Sequence, residues 1–234
     1  MLMKKPYKHL FFDLDRTLWD FDTSSIEAFH KIYNKFDLKS KGVDSVELFI
    51  KKYTYHNDIL WNQYREGKLA KEILRGLRFA HTLEEFGINN KELAQQIGDY
   101  YVEVSPLLVH LFPNAHEVLA YLYPHYHLHI ITNGFSEVQF TKLKSAKLDK
   151  YFNEIITSEE AGVKKPDPLI FSFAFNRTKA RAGNSLMIGD DIGVDIVGAR
   201  QIGMDQVLFD PDKKSSTDGA TFYINDLIEL KKFL

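Results

Sequence analysis

The sequence predicts an α/β protein: a doubly wound parallel sheet that carries an inserted α-helical domain. Three observations lead to this fold class. The apolar stretch Leu10–Phe12 has the length of a buried strand and ends at two carboxylates. Residues from about 23 to 104 contain no convincing strand and favour one helix after another. From Pro113 onward, strand and helix patterns alternate, which is typical of a parallel sheet with helices on both faces.

Length and composition bound the class of function. The chain has 234 residues, 44% hydrophobic and 26% charged, which suits one or two globular domains. Its net charge of −2 creates no basic field, so no nucleic-acid or membrane partner is expected. The absence of cysteine excludes disulfides, thiolate metal ligands and cysteine nucleophiles. The N-terminal apolar stretch is too short for a signal peptide or a membrane span, so a cytoplasmic protein is expected.

Four helices are expected in the middle of the chain, joined by short links as in a small bundle. Ser24 or Ser25 can cap the first of them, since a serine side chain accepts from the free N–H groups of a first turn. The expected helices cover about 24–36, 44–66, 70–86 and 90–104. The chain then divides into a core domain of residues 1–18 and 106–234 and an inserted domain of residues 19–105.

The remaining chain alternates between strands and helices. Asn114 is expected to cap a helix, with Glu117 completing a capping-box pair, and Ser136 is expected to cap the next one. The expected strands are 129–132, 154–157, 185–189, 206–209 and 221–224. The expected helices are one that begins at Asn114 and ends before the strand 129–132, and those at 136–147, 168–178 and 194–202, with a short turn at Ser158 and a last helix after Asn225.

Polar side chains follow four of the predicted strands, where ligands bind in doubly wound sheets. They are Asp13, Asp15 and Thr17; Thr132, Asn133 and Gly134; Lys164, Lys165 and Asp167; and Asp190, Asp191 and Asp195. Asp13 and Asp15 lie two residues apart and so face the same side, which is costly without a cation or a shared proton. Carboxylates, lysine and hydroxyls together suit Mg²⁺ with a phosphate between the metal and the lysine.

These motifs resemble those of the haloacid dehalogenase superfamily of phosphohydrolases, in order and over the whole chain. The matching residues are Asp13-Leu14-Asp15-Arg16-Thr17, Thr132-Asn133, Lys165-Pro166-Asp167-Pro168, and Gly189-Asp190-Asp191 with Asp195. The resemblance implies a Rossmann-like core with a helical cap domain. It also implies Mg²⁺-dependent hydrolysis of small phosphomonoesters through an aspartyl-phosphate.

The resemblance also implies a role for each residue. Asp13 would be the nucleophile, and Asp15 the general acid and then the base. Lys165 would neutralise the nucleophile and the phosphate, and Thr132, Asn133 and Lys165 would bind phosphoryl oxygens. The Mg²⁺ ligands would be Asp13, the backbone carbonyl of Asp15, and Asp190, with Asp191 or Asp195 supporting through water.

A narrower resemblance is to bacterial pyrimidine 5′-nucleotidases, carried by residues 13–21 and 57–79. The chain departs from that pattern at Arg16, where an acidic residue or glycine is usual. Substrate contacts are expected from Trp19, Phe21, Trp61 and Arg78. The alternative for the aromatic residues is packing in the core, and for Arg78 a solvated helix face.

Other functions remain open at this point. A sugar-phosphate or phosphoglycolate phosphatase, or a phosphomutase, would share the core and differ in the cap. A dehalogenase would not need the second carboxylate, Asp15. A phospho-accepting signalling domain would be about half as long, with its acceptor on a middle strand rather than the first. The protein is expected to act as a monomer or a homodimer.

Overall fold

The structure, a computed structural model, describes residues 7–214 and 219–234. The chain forms two compact units. The first contains the described residues up to Phe21 and those from Val109 onward, and the second is Asp22–Leu108. The sequence placed the corresponding boundaries after residues 18 and 105. Within the described residues, no helix is both long enough and apolar enough to cross a bilayer.

The secondary structure follows the predicted order. The strands are β1 (His9–Phe12), β2 (His127–Thr132), β3 (Glu154–Thr157), β4 (Ser185–Gly189), β5 (Asp205–Phe209) and β6 (Phe222–Ile224). The α-helices are α1 (Phe21–Lys35), α2 (Val46–Arg65), α3 (Lys71–Glu84), α4 (Lys91–Val104), α5 (Ala115–Leu122), α6 (Ser136–Ser145), α7 (Ser158–Ala161), α8 (Pro168–Thr178) and α9 (Val197–Gln201). A π-helical turn, Ile192–Ile196, precedes α9, and 3₁₀ turns lie at Ser105–Leu107, Asp149–Tyr151, Ala182–Asn184 and Leu227–Lys232.

The first unit is built on one sheet with strand order β3-β2-β1-β4-β5-β6. Every neighbouring pair runs parallel. Leu10 of β1 is in register with Leu128 of β2 and Leu186 of β4. The order reverses at β1, so the carboxyl ends of β1, β2 and β4 lie side by side. The predicted doubly wound parallel sheet is confirmed.

Hydrophobic cores lie on both faces of this sheet, because successive strand side chains point to opposite sides. Leu10 and Phe12 belong to one core, which includes Val118 and Leu122 of α5. Phe11 belongs to the other, which includes residues of α8 and α9. Burial on both faces explains why β1 reads as a continuous apolar run rather than as an alternating strand.

The second unit consists of α1 to α4 around a core of its own. Aromatic side chains dominate this core: the rings of Phe29 and Tyr53 lie 4.5 Å apart, and those of Tyr53 and Phe79 lie 4.9 Å apart. Ser45 caps α2 by accepting from the Leu48 N–H at 3.2 Å.

Several helix ends differ from the sequence prediction. The first helix begins at Phe21, so Ser24 and Ser25 lie inside it and are buried. Asn114 precedes α5 as expected but makes no side-chain cap; its amide donates to Asp226 Oδ1 at 2.8 Å instead. The expected capping-box pair is therefore wrong. Ser136 is the first residue of α6 rather than its cap, and its hydroxyl pairs with Thr157 Oγ1 at 2.8 Å.

Candidate active site

The carboxyl end of β1 carries the first predicted site residue. Asp13 follows Phe12 directly, and its backbone N–H donates to the Ile188 carbonyl of β4 at 2.9 Å. Its side chain is buried. The Lys165 ammonium donates to Asp13 Oδ1 at 2.6 Å. Two residues that lie far apart in the sequence thus form a buried ion pair at this edge of the sheet.

Lys165 is fixed from several sides. It is 1% exposed, and its ammonium also donates to Asp195 Oδ1 and to the Ile131 carbonyl, each at 2.7 Å. Asn133 holds its backbone twice: Asn133 Nδ2 donates to the Lys165 carbonyl at 2.9 Å, and the Lys165 N–H donates to Asn133 Oδ1 at 2.8 Å. The Asn133 side chain is therefore bonded to the loop that carries Lys165 (the lysine loop). Its expected contact with a phosphoryl oxygen stays a prediction.

Three carboxylates lie close together here, and two of them, Asp13 and Asp195, accept from this ammonium. One oxygen each of Asp13, Asp190 and Asp195 lies within 4.8 Å of the others. Asp195 approaches closely because residue 189 is glycine: a Cβ on Gly189 would lie 2.3 Å from Asp195 Oδ2. Thr17 donates its hydroxyl to Asp190 Oδ1 at 3.3 Å. The structure thus brings together the ends of β1 and β4 and the lysine loop.

Burial is the main cause of a raised pKa at all three carboxylates. For Asp13, burial together with the Asp195 charge outweighs the Lys165 ammonium and raises the pKa to about 7. The pKa values of Asp190 and Asp195 are raised as well. Burial disfavours the charged form of Lys165, but Asp13 and Asp195 hold the pKa of Lys165 above its usual value. One ammonium therefore leaves the cluster with excess negative charge.

This set of donors fits a divalent cation. Carboxylate oxygens are the hard ligands that Mg²⁺ prefers, and three of them converge here without enough positive charge. A cation among them would favour their ionised forms. Asp190 and Asp195 belong to this group. The Asp191 carboxylate instead accepts from the Gly193 and Val194 N–H groups at 2.8 and 3.0 Å and caps the following turn.

Asp15, the second carboxylate after β1, is held by side chains from α6. Gln139 Nε2 donates to Asp15 Oδ2 at 2.8 Å and to Thr132 Oγ1 at 2.9 Å. The Lys142 ammonium donates to Asp15 Oδ1. Thr132 Oγ1 also accepts from the Gly134 N–H at 3.0 Å, which leaves the hydroxyl hydrogen to donate. Thr132 therefore keeps the donor that binding a phosphoryl oxygen requires.

Gln139 and Lys142 were not singled out from the sequence. Both are buried, at 1% and 3% exposure, on the same side of α6 as the core residue Leu143. A glutamine and a lysine three residues apart, among core positions of a helix, are the signal that was missed. Polar side chains are seldom buried unless they have partners, so such positions are candidates for a specific role.

Arg16, where the chain departs from the nucleotidase pattern, is an exposed residue in a left-handed backbone conformation. Its φ of 63° favours glycine, asparagine or aspartate at this position. Its guanidinium lies 4.8 Å from the centre of the Phe21 ring. Its charge also counteracts the rise in the pKa of Asp190. The arginine therefore adds a positive charge near the carboxylate cluster.

The aromatic residues expected to contact substrate differ in their surroundings. Trp19 has no exposed surface and belongs to the hydrophobic core, so the contact expected of it is not supported and core packing is observed. Phe21 is half-buried beside the same core. Trp61 of the helical unit is half-buried and packs edge-on against Tyr64, with ring centroids 5.3 Å apart.

Arg78 lies inside the helical unit, with 3% of its surface exposed. Its Nη1 donates to Asn57 Oδ1 at 3.2 Å, and its guanidinium lies 5.0 Å from the centre of the Tyr101 ring. A solvated helix face, the alternative for this residue, is wrong because the side chain is buried. Its contact with substrate stays a prediction, as do those of Phe21 and Trp61.

Comparison with known proteins decides the family. The model of haloacid dehalogenase-like hydrolases matches residues 10–209. The chain belongs to this family. The matched range runs from β1 to the end of β5, so it contains all four groups of polar residues that follow the strands. The predicted superfamily is thereby confirmed.

Relatives within the haloacid dehalogenase-like hydrolases include two nucleotidases. The pyrimidine 5′-nucleotidase PynA of Streptococcus pneumoniae is 31% identical, covering 88% of this chain and 84% of that protein. The pyrimidine 5′-nucleotidase YjjG of Escherichia coli is 28% identical, covering 96% of each. Their names support the predicted enzyme class, a hydrolase of phosphoric monoesters.

A solved structure shares the fold over almost the entire chain. The HAD-hydrolase YfnB of Bacillus subtilis, bound to magnesium, superposes with a TM-score of 0.88 at 28% identity. The match covers 98% of this chain and 99% of that one.

Proposed function

We propose that this chain is a Mg²⁺-dependent phosphomonoesterase that hydrolyses pyrimidine nucleoside 5′-monophosphates through an aspartyl-phosphate on Asp13. The observation that carries the proposal is the buried Asp13–Lys165 pair within the cluster of three carboxylates. An ammonium in this position can neutralise an incoming phosphoryl oxygen while the carboxylate attacks phosphorus. The similarity to PynA and YjjG supports a pyrimidine nucleotide as the substrate.

The proposed reaction has two steps. In the first, an Asp13 oxygen bonds to phosphorus and the bond from phosphorus to the ester oxygen breaks. Asp15 donates a proton to that leaving oxygen, which accelerates such a step about 10²–10⁴-fold. In the second, Asp15 accepts a proton from the water that attacks phosphorus, and the bond from phosphorus to Asp13 breaks. Lys165 and the Thr132 hydroxyl bind phosphoryl oxygens in both steps.

Mg²⁺ would be held by the carboxylates of Asp13 and Asp190 and by the backbone carbonyl of Asp15. Asp195 or Asp191 would support it through water, and the position of Asp195 in the cluster favours Asp195. When bound, the ion supplies positive charge that offsets the phosphoryl group and the carboxylates around it.

Asp15 separates the proposed activity from dehalogenation. A halide leaves without a proton, so a dehalogenase has no use for a second carboxylate held beside the nucleophile. An alkoxide is a poor leaving group and needs that acid. Phosphatases of sugar phosphates or phosphoglycolate, and phosphomutases, would use the same core residues, so the nucleotide must be distinguished from these substrates by experiment.

A phosphate-release assay with Mg²⁺ tests the proposal. UMP, dUMP and dTMP are compared with purine nucleoside monophosphates, ribose 5-phosphate and phosphoglycolate. We expect the highest kcat/KM for a pyrimidine nucleotide, and no turnover by Asp13→Asn because an amide oxygen is a poor nucleophile. Asp149→Asn, which changes an exposed carboxylate of the same unit, is the matched control. Undiminished phosphate release by Asp13→Asn would exclude the nucleophile assignment, and preference for another ester would exclude the nucleotide.

A further inference from the structure

We propose that Lys142 and Gln139 are positioning residues for Asp15. They hold both oxygens of its carboxylate and so set the direction in which it transfers a proton. The inference rests on the proposed function, in which Asp15 is the acid and the base of the reaction. It adds two residues of α6 to the groups on which the rate of that reaction depends.

The geometry around Asp15 is the first observation. Lys142 donates to Oδ1, and Gln139 donates to Oδ2 at 2.8 Å. The two donors are three residues apart on one helix and therefore lie on one face of it. A carboxylate with a separate donor on each oxygen cannot rotate without losing a bond. The Asp15 side chain keeps 27% of its surface exposed, against 4% for Lys142, so its open side remains accessible to a reacting group.

The surroundings of Lys142 are the second observation. Its ammonium lies 5.3 Å from the centre of the Trp19 ring and 5.2 Å from that of Phe21, at distances suited to cation–π attraction. Trp19 is fully buried and Lys142 is only 3% exposed, so the ammonium lies in a buried environment. A buried charge is costly, and an apolar side chain of similar size would fill the same space with less penalty. The bond to the Asp15 carboxylate therefore explains why a lysine occupies this buried position.

Gln139 connects Asp15 to the phosphate-binding hydroxyl. The two hydrogens of its Nε2 go to Asp15 Oδ2 and to Thr132 Oγ1, at 2.8 and 2.9 Å. Gly134 makes room for this bridge, because a Cβ at that position would lie 1.8 Å from Gln139 Nε2. The position of the Gln139 side chain therefore requires a glycine at residue 134. One amide fixes the loop after β1 relative to the loop after β2.

A positioning residue and a purely structural residue can be distinguished by how the loss of rate in a variant depends on the leaving group. A misplaced acid slows the release of an alkoxide, which needs a proton, but hardly slows the release of p-nitrophenolate, which does not. A general loss of structure slows both. Because kcat/KM reports only the steps up to the first irreversible one, it isolates phosphoryl transfer to Asp13 from the later hydrolysis.

The experiment compares Lys142→Met and Gln139→Leu with the wild type on UMP and on p-nitrophenyl phosphate. We expect kcat and kcat/KM for UMP to fall about 10- to 100-fold with KM unchanged, as for a small misplacement of a reacting group. The kcat/KM for p-nitrophenyl phosphate should change little in Lys142→Met. In Gln139→Leu, which also loses the bond to Thr132, it should fall less than the kcat/KM for UMP. Lys144→Met makes the same substitution at an exposed position of α6 and should behave as the wild type. In an Asp15→Asn background, Lys142→Met should cause no further loss.

Several outcomes would overturn the inference. They are an equal fall of kcat/KM on the two substrates, no fall on either substrate, or a full additional fall of kcat/KM when Lys142→Met is combined with Asp15→Asn. If Lys142→Met does not fold, Gln139→Leu and Gly134→Ala provide the same comparison. If the wild type prefers another alkyl phosphate, the nucleotide assignment fails and that ester replaces UMP here. If no phosphomonoester is hydrolysed, crystal structures decide: an Asp15 carboxylate that keeps its orientation in Lys142→Met and Gln139→Leu refutes positioning.

Discussion

Acidification should remove the stability that depends on the buried, neutral histidine His129 of β2. His129 is 2% exposed, its ring stacks on Phe11 at 4.8 Å, and its Nε2 lies 3.2 Å from His9 Nδ1. Burial, and to a lesser degree the neighbouring His9 and His127, lowers the pKa of His129 from 6.5 to about 3. The folded protein therefore excludes a proton that the unfolded chain binds below about pH 6.5.

The sign and size of the effect follow from this difference in protonation. The stability that neutral His129 contributes is complete above pH 6.5 and is lost as the pH falls. Each pH unit below that value lowers the free energy of unfolding by about 1.4 kcal/mol, so pH 5 costs about 2 kcal/mol. The raised pKa values of Asp13, Asp190 and Asp195 act in the opposite direction. The prediction therefore concerns the difference between the wild type and a variant.

Urea unfolding at pH 7 and pH 5 measures that difference. His129→Phe removes the titrating ring and keeps a flat ring against Phe11. The free energy of unfolding of the wild type should fall by about 2 kcal/mol more than that of this variant between the two pH values. His125→Phe changes an exposed histidine and should retain the wild-type pH dependence. The same pH dependence in the wild type and in His129→Phe would refute the reasoning.

Two further predictions concern the carboxylate cluster. Gly189→Ala should lower kcat/KM about 100-fold and raise the Mg²⁺ concentration needed for half-maximal rate, because its Cβ would lie 2.3 Å from Asp195 Oδ2. Gly183→Ala, whose Cβ would meet nothing within 4 Å, is its control, and an unaltered Mg²⁺ titration for Gly189→Ala would contradict the role of Asp195. EDTA should abolish phosphate release and added Mg²⁺ should restore it, whereas full turnover in EDTA would argue against the metal.

The sheet was predictable because its physical causes are local in the sequence. A strand buried on both faces needs a continuous apolar run, and Leu10–Phe12 and Leu186–Ile188 supply such runs. Helix ends were less predictable, because a capping side chain can find a distant partner. Asn114 shows this: its amide donates to Asp226, 112 residues away, and its φ of 64° differs from that of an ordinary N-cap.

The candidate site was predictable where its residues follow strands. The carboxyl ends of neighbouring parallel strands meet, so Asp13 and Asp190 had to lie close together. Lys142 could not be found in this way. Its contact with Asp15 spans 127 positions and depends on how α6 is rotated over the sheet. Trp19 was misjudged for a related reason, since an aromatic residue beside a catalytic loop fits the core as well as a substrate.

Asn133 makes two hydrogen bonds to the backbone of Lys165, and this pairing has a consequence for engineering. The side-chain amide of Asn133 donates one hydrogen bond to the lysine loop and accepts one from it. The turn after β2 and the lysine loop are therefore held in a fixed relative position. A graft of one loop from a relative would leave an unmatched donor or acceptor in the interior wherever it replaces Asn133 or shifts the backbone of Lys165. Successful chimeras of this core should therefore exchange the two loops together.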